Sequence, residues 1–390
     1  MKKIAILGLH ADRNLGDQII CQIVMKLYQK YYNEKIEWTK VDLRFYHTSL
    51  IALFQNKKRR IIYLFFHRFF KILTISHFAL FHDMRIKYLS YEMEELLKGA
   101  DSAIIAGGGI IHFKHHDFYA GICSFILACQ RNHIPLAINA VGVEGFDKED
   151  PKCKMFQKYL NFPIVKIITT RDDIDTLIKS YIDSKSTTPV IKTTDPAIFS
   201  DEFFHVSSKK NGKIGIGLIR EDIFHDFKID FPVELLSNYY TGLVIELEKR
   251  GLEYEFFTNG YKCDLGIMGR IEKNLNRSFS VSVPHNIQDL ISIISSYRGI
   301  ISARMHSCIV AYSFNLPAIA FIWDSKLRMW YNNIGEPDCC FELNNLDPVS
   351  VVDMFLVAES KGRDLDRKNI LKKECVKVIQ TTIELLNCRT

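Results

Sequence analysis

The sequence predicts an α/β protein built of two doubly wound, Rossmann-like domains facing a cleft. Three observations carry this expectation. The chain has 390 residues, 47% of them hydrophobic, which is too long for one compact core and suits two. Its strand-length apolar runs are near-continuous rather than alternating, as parallel strands covered on both faces require. These runs alternate with helical stretches in two series, and the polar segment Ser200–Gly212 separates the series as a linker would.

The first series places strands at Lys3–Leu9, Lys35–Leu43, Ser102–Ala106, Pro135–Val141, Ile164–Thr170 and Pro189–Thr193. Helical stretches lie between them, at Asp17–Tyr32, Tyr91–Leu97 and Phe118–Asn132. The opening run is a strand and not a signal peptide, because His10, Asp12 and Arg13 interrupt it after Leu9. The second series places strands at Lys213–Ile219, Glu253–Thr258, Phe279–Val283, Gly299–Ser302 and Ala318–Trp323. Its helices are expected at Leu235–Arg250, Ile287–Ser296, Ser307–Phe314 and Lys326–Asn332, with a helical tail at Pro348–Glu359 and Arg367–Asn387. The expected domains are therefore residues 1–205 and 206–346, followed by a tail at 347–390. No repeat of fixed period and no low-complexity tract interrupts the pattern.

Composition excludes little else. A net charge of +6 fits anionic small molecules or an anionic membrane surface as well as nucleic acid. The ten cysteines show no CxxC pair and no zinc-like Cys/His spacing, and Cys339 and Cys340 are adjacent. They read as reduced thiols of a cytosolic protein. One insert, residues 57–87, stands apart. Lys57-Lys58-Arg59-Arg60 leads into Ile61 to Phe66, then His67-Arg68-Phe69-Phe70-Lys71, and on to Phe78 to Phe81. A membrane span needs about 20 mostly uncharged apolar residues, and His67, Arg68, Lys71 and His77 break this one up. The pattern is that of a basic amphipathic helix lying in a bilayer interface, or of a helix packed on the domain or on a second subunit.

The residues that could carry chemistry follow the strands. In Ser302-Ala303-Arg304-Met305-His306-Ser307, a strand ends in an Arg-x-His pair and a helix follows. Ligands of open α/β sheets bind at that end of the strands. Arg304 can fork onto a carboxylate or phosphate, and His306 can move a proton near neutral pH. Arg220 ends the strand of Gly215-Ile216-Gly217-Leu218-Ile219. It would face the same place if the two strands are neighbours in one sheet, or it could form a surface ion pair with Glu221 or Asp222. Lys326 stands at a helix start, where a cation opposes the helix dipole, and this misplacement hints at a bound anion. In the first half, Asn14-Leu15-Gly16-Asp17 presents backbone N–H groups at a helix start, and Asp17 there could simply cap its helix. Gly107-Gly108-Gly109 at a strand's end would let a ligand approach the backbone; a tight turn is the alternative, but three glycines in a row exceed what a turn needs. Arg171 could contact an anion or pair with Asp172 or Asp173. Asp195 before Pro196 could be a turn former. His112, His115 and His116 lack a carboxylate partner, so no metal site is expected.

Taken in order, these pieces resemble the polysaccharide pyruvyl transferase family. The resembling elements are Asn14-x-Gly16-Asp17, Gly107-Gly108-Gly109, Arg171-Asp172, Asp195-Pro196-Ala197, the strand ending in Arg220, Ser302-x-Arg304-x-His306, and Asn315-Leu316-Pro317 through Lys326. They span most of the chain. Met305 and Ser307-Cys308 depart from the family pattern, where Leu and Gly are frequent, and the insert is not a family motif. The resemblance implies a two-domain fold like that of GT-B glycosyltransferases. It also implies transfer of pyruvate from phosphoenolpyruvate to two hydroxyls of a sugar as a cyclic ketal, with no metal or organic cofactor. Under that expectation Arg304, Arg220 and Lys326 hold the donor, with Arg171, Asn14 and Gly107 to Gly109 as further binding positions. His306 moves protons, and Asp17 orients or deprotonates the acceptor. The expected acceptor is a lipid-linked galactoside of capsule or exopolysaccharide assembly, met at the cytoplasmic face of the cell membrane. No nucleic acid partner is expected. Two rivals remain. One is a nucleotide-sugar glycosyltransferase, which would want acidic ribose-binding residues such as Glu336 or Asp338. The other is a non-catalytic binder of sugar or lipid at a membrane surface, which leaves Arg304 and His306 unexplained.

Overall fold

The computed structural model describes residues 1–11, 14–44, 75–114, 118–206, 210–226 and 229–388. The chain divides into two compact units. The first comprises Met1–Ala11, Val24–Asp195 and Cys375–Thr390; the second comprises Asp12–Ile23 and Pro196–Glu374.

In the first unit, six strands form one parallel sheet: β1 (Lys2–Gly8), β2 (Ile36–Asp42), β3 (Ser102–His112), β4 (Leu136–Glu144), β5 (Val165–Thr170) and β6 (Val190–Lys192). Their spatial order is β2-β1-β3-β4-β5-β6, with every pairing parallel. Strand order reverses between β1 and β3. The helices of this part of the chain include α1 (Leu15–Tyr31), whose first turns belong to the second unit, then α2 (Ile75–Leu96), α3 (Phe118–Arg131) and α4 (Pro151–Leu160). The inner strands are apolar on both faces because both faces are covered. Ile104, Ile105, Ala137, Ile138, Ile167 and Ile168 are all buried.

The second unit repeats the plan. Its strands are β7 (Ile214–Gly217), β8 (Tyr254–Phe257), β9 (Val281–Ser282), β10 (Gly299–Ser302), β11 (Ala318–Ile322) and β12 (Cys340–Glu342). They lie in the order β12-β11-β10-β7-β8-β9, again all parallel. The helices are α5 (Val233–Lys249), α6 (Met268–Leu275), α7 (Ile287–Ser296), α8 (Met305–Ser313), α9 (Ser325–Ile334), α10 (Pro348–Lys361) and α11 (Leu365–Asn387), whose residues from Cys375 on belong to the first unit. Here β7 continues to β8 and β9 on one side, while β10 to β12 continue on the other. The switch point lies between β7 and β10, where doubly wound sheets bind ligands beyond the strands' carboxyl ends.

Several elements depart from the sequence-based expectation, each for a physical reason. β3 runs through the three glycines instead of stopping at Ala106, because a register shift between Gly108 and Ile111 lets its pairing with β4 resume. The helix expected at Tyr91–Leu97 starts at Ile75, so residues 75–87 of the insert are helical. Residues 57–74, with the basic cluster Lys57 to Arg60, lie outside the described residues. α4 went unpredicted although Asp150 caps it, accepting from the Lys152 N–H at 2.7 Å, with Pro151 in its first turn. α6 and β12 are only 8 and 3 residues long, too short for a local pattern to single them out. The supposed linker starts as ordered structure. Ser200–Phe203 is a helical turn, and its acids are held by Lys368 (3.0 Å to Asp201) and Lys372 (2.7 Å to Asp201, 2.9 Å to Glu202).

Among the described residues, no helix is long and apolar enough to cross a membrane.

Candidate active site

The second unit's switch point gathers the two arginines that end strands. β7 pairs with β10, Gly217 opposite Ser302, so the chain leaving each strand emerges at the same edge. After β10, the Ser302 hydroxyl oxygen accepts the Arg304 N–H at 3.1 Å. Arg304 stays extended (φ −90°, ψ 108°) as the residue that precedes α8, and His306 falls in the first turn of that helix. The first N–H groups of a helix have no intrahelical acceptor, so they and the dipole favour an anion at this end. After β7, Leu218 and Ile219 are buried, and Arg220 reaches the surface.

Both arginines are tied to one carboxylate that sequence reading did not single out. Asp264 lies in the turn Lys262–Ile267 that follows β8. Its Oδ1 accepts the Arg220 backbone N–H at 2.9 Å and also the Arg304 guanidinium. Asp264 is wholly buried. Burial pushes its pKa up, opposed first by Arg304 and less by Arg220. The Arg304 guanidinium also lies 5.9 Å from the centroid of the Tyr261 ring. The Arg220 side chain pairs with Asp222 at 2.8 Å, and Asp222 is exposed. A pair with an exposed carboxylate contributes little to stability.

His306 is buried, 7% exposed, and packs on the start of α1. A Cβ placed on Gly16 would lie 2.5 Å from His306 Cβ and 2.6 Å from His306 Cγ, closer than atoms tolerate. Only glycine leaves the imidazole its place. The expectation that Asp17 caps α1 is corrected in detail. Asn14 is the cap, its Oδ1 accepting the Gly16 N–H at 3.3 Å. The Asn14 side-chain amide in turn donates to Asp17 Oδ2 at 2.8 Å. Asn259, also missed in the sequence, binds this corner together. Its amide donates to Asn14 Oδ1 at 2.7 Å, and its Oδ1 accepts the Ser307 hydroxyl at 3.0 Å. The signal available for Asn259 and Asp264 was the polar stretch Thr258-Asn259-Gly260 directly after an apolar strand.

Lys326 belongs to the neighbouring strand end, and its placement has an internal explanation. Asp324 caps α9, its Oδ1 accepting the Lys326 N–H at 3.0 Å, while its other oxygen pairs with Lys326 Nζ at 2.9 Å. The cation at this helix start is therefore matched by a carboxylate of the same loop, and no bound anion is needed to account for it. The Trp323 indole donates to the Ala303 carbonyl at 2.8 Å, which ties this loop to the one carrying Arg304.

The remaining positions lie in the first unit. Gly107 is buried in mid-strand; a Cβ there would meet the Ala140 carbonyl, 3.0 Å from its carbon. Gly108 takes φ +123°, a conformation glycine alone adopts easily. Gly109 is the partly exposed one of the three. Close strand packing thus accounts for Gly107 and the irregular backbone for Gly108. Arg171 is not at the surface. Its guanidinium pairs with Asp195 and lies 3.9 Å from Asp172, all three side chains being at most 4% exposed. Asp195 is therefore the counter-ion of Arg171 and not merely a turn former. The Asp172 carboxylate also accepts the Val143 N–H at 2.8 Å. Arg171→Met would remove the cation that faces two buried carboxylates. It is expected to lower unfolding stability by about 3–5 kcal/mol, read by urea or thermal melting, and a wild-type midpoint would contradict the pairing. His112 is buried; His115 and His116 lie outside the described residues. Glu336, the acid the glycosyltransferase reading would need, pairs with Arg363.

Comparison with known proteins agrees with this architecture. The polysaccharide pyruvyl transferase family profile matches residues 14–325. No characterised protein with a curated description matches the sequence significantly. Among solved structures, S. aureus MnaA in its UDP co-structure superposes with a TM-score of 0.54 at 14% identity, covering 93% of this chain and 89% of that one. The Methanocaldococcus jannaschii UDP-GlcNAc 2-epimerase in complex with UDP-GlcNAc and UDP gives 0.54 at 13% identity, covering 99% of each chain. UDP-N-acetylglucosamine 2-epimerase from Rickettsia bellii gives 0.53 at 14% identity, covering 99% of this chain and 97% of that one. At such identities these likenesses show the fold, two Rossmann-like domains of the GT-B type. The family match covers most of the sequence, including the strand ends that carry Arg220, Arg304 and His306, and the chain belongs to the polysaccharide pyruvyl transferase family.

Proposed function

We propose that this pyruvyl transferase takes its pyruvate from phosphoenolpyruvate and sets it as a cyclic ketal on two hydroxyls of a sugar. One observation carries the proposal: Arg220, Arg304 and the α8 N-terminus share one strand-end edge, with His306 in that helix's first turn. Phosphoenolpyruvate carries a carboxylate and a phosphate on one small frame, so it needs several cations and N–H donors close together. A proton added to its methylene carbon leaves positive character at the adjacent carbon. A sugar hydroxyl attacks there and gives up its proton, the bond from that carbon to the phosphate oxygen breaks, and the second hydroxyl closes the ring. Arg304 and Arg220 stabilise the departing phosphate. His306 is the group for the proton steps. Asp17, bonded to Asn14 on the α1 turn that packs against His306, orients an acceptor hydroxyl. Lys326, being paired with Asp324, has at most a supporting part.

For the acceptor, the proposal is a lipid-linked galactoside of capsule or exopolysaccharide assembly carrying a 4,6-ketal, met by peripheral association with the inner face of the membrane. The basic, aromatic run from Lys57 to Lys71 supports this through its attraction to anionic lipid. The test is phosphate release from phosphoenolpyruvate over a panel of lipid-linked and soluble galactosides. Release that requires an acceptor supports pyruvyl transfer. Full-rate turnover of a free nucleotide sugar would remove the lipid-linked part, and binding of nucleotide sugars without any binding of phosphoenolpyruvate would sink the donor assignment.

A further inference from the structure

We propose that Asp264 is a positioning residue for the anionic donor: it locks the Arg304 guanidinium and the loop carrying Arg220 into one binding geometry. The inference rests on the donor-site reading above and deepens it. Three strand ends meet at this carboxylate. Asp264 follows β8, the Arg220 N–H comes from the loop after β7, and the Arg304 side chain comes from the loop after β10. One oxygen, Oδ1, receives both bonds. The other, Oδ2, is buried without a hydrogen-bond partner among the described residues, as is Nε of Arg304. An arginine and a carboxylate frequently meet through two parallel bonds. This pair meets through a single oxygen, so Arg304 is held in place while the rest of its five-donor fork stays uncommitted to Asp264.

Burial disfavours the charged form of Asp264, and the two groups it orients oppose that penalty. A ligand anion arriving at Arg304 meets a guanidinium whose direction is already set, and little ordering remains to be done on binding.

The test compares Asp264→Ala, Asp264→Asn and Asp264→Glu in the full chain, by calorimetry with phosphoenolpyruvate and with inorganic phosphate, and by steady-state kinetics. Asn keeps an oxygen for both bonds; Ala keeps neither; Glu keeps the charge but displaces it by one methylene. Asp264→Ala is expected to raise KM for phosphoenolpyruvate by about 10- to 100-fold, with KM for the sugar unchanged. Asp264→Asn should restore most of the loss, and Asp264→Glu should not. If the Ala variant fails to fold, the order of Asn and Glu still decides. Glu closer to wild type than Asn would overturn the proposal, as would an Ala variant with wild-type KM for the donor or with both substrates affected equally. A wild type that does not bind phosphoenolpyruvate would count against the donor reading instead. Inorganic phosphate then reads the hold on an anion: loss in Ala with retention in Asn upholds the role of Asp264, and equal affinity in all variants removes it.

Discussion

His306→Gln is expected to lower acceptor-dependent phosphate release by about 100- to 10,000-fold, the usual effect of removing a general acid or base, while phosphoenolpyruvate still binds. The argument is positional. His306 sits two residues after Arg304, in the first turn of α8, at the switch point between β7 and β10. An imidazole transfers protons near neutral pH, and glutamine of similar size does not. The arginines remain, so the donor affinity should change little. Turnover and calorimetry on the same preparation check both halves. A variant that keeps more than a small fraction of wild-type turnover would remove His306 from the proton steps, and lost donor binding would make it a binding residue.

Gly16→Ala is expected to reproduce much of that loss without touching a charged group. The new methyl would occupy the space of His306 Cβ and Cγ, and these atoms lie at the root of the side chain, so the imidazole as a whole must move. A displacement on the order of 1 Å can reduce turnover about 100-fold. Overpacking should also destabilise the unit by about 1–3 kcal/mol, partly offset because alanine is the better helix former. A double-mutant cycle is the informative measurement. On a His306→Gln background the Gly16 substitution should reduce turnover little further, since neighbours that act through one side chain are not additive. Independent, multiplying losses would show that Gly16 acts in some other way.

Much of the fold was legible in the chain because it rests on local pattern. The β10 range Gly299–Ser302 and the α7 range Ile287–Ser296 agree with the sequence expectation residue for residue. β4 and β3 ran longer than expected because glycine marks both a strand's end and a bulge within it, and only pairing with the adjacent strand distinguishes the two. Residues 75–87 were expected to be helical as part of the amphipathic insert, and they open α2.

The candidate site divides in the same way. Apolar runs ending in Arg220 and in Arg304-x-His306 were written in the sequence, because a strand and the helix that follows it are set by short-range periodicity and by the residues at their junction. The order of the strands was not. That β7 lies beside β10, bringing the two arginines to one edge, is a result of packing the whole sheet. Near partners of the charges were legible, Asp222 for Arg220 and Asp172 for Arg171, but those distant along the chain were not. Asp264 reaches Arg304 across 40 residues, and Asn14 meets Asn259 across 245. Arg171 turned inward, where it meets Asp195, 24 residues away, as well as its neighbour Asp172. The sequence determined which elements form and which residues stand at their ends, because those depend on neighbours along the chain. Tertiary structure alone decided which charges are neutralised within the protein and which remain for a ligand, because a buried charge takes its partner through space.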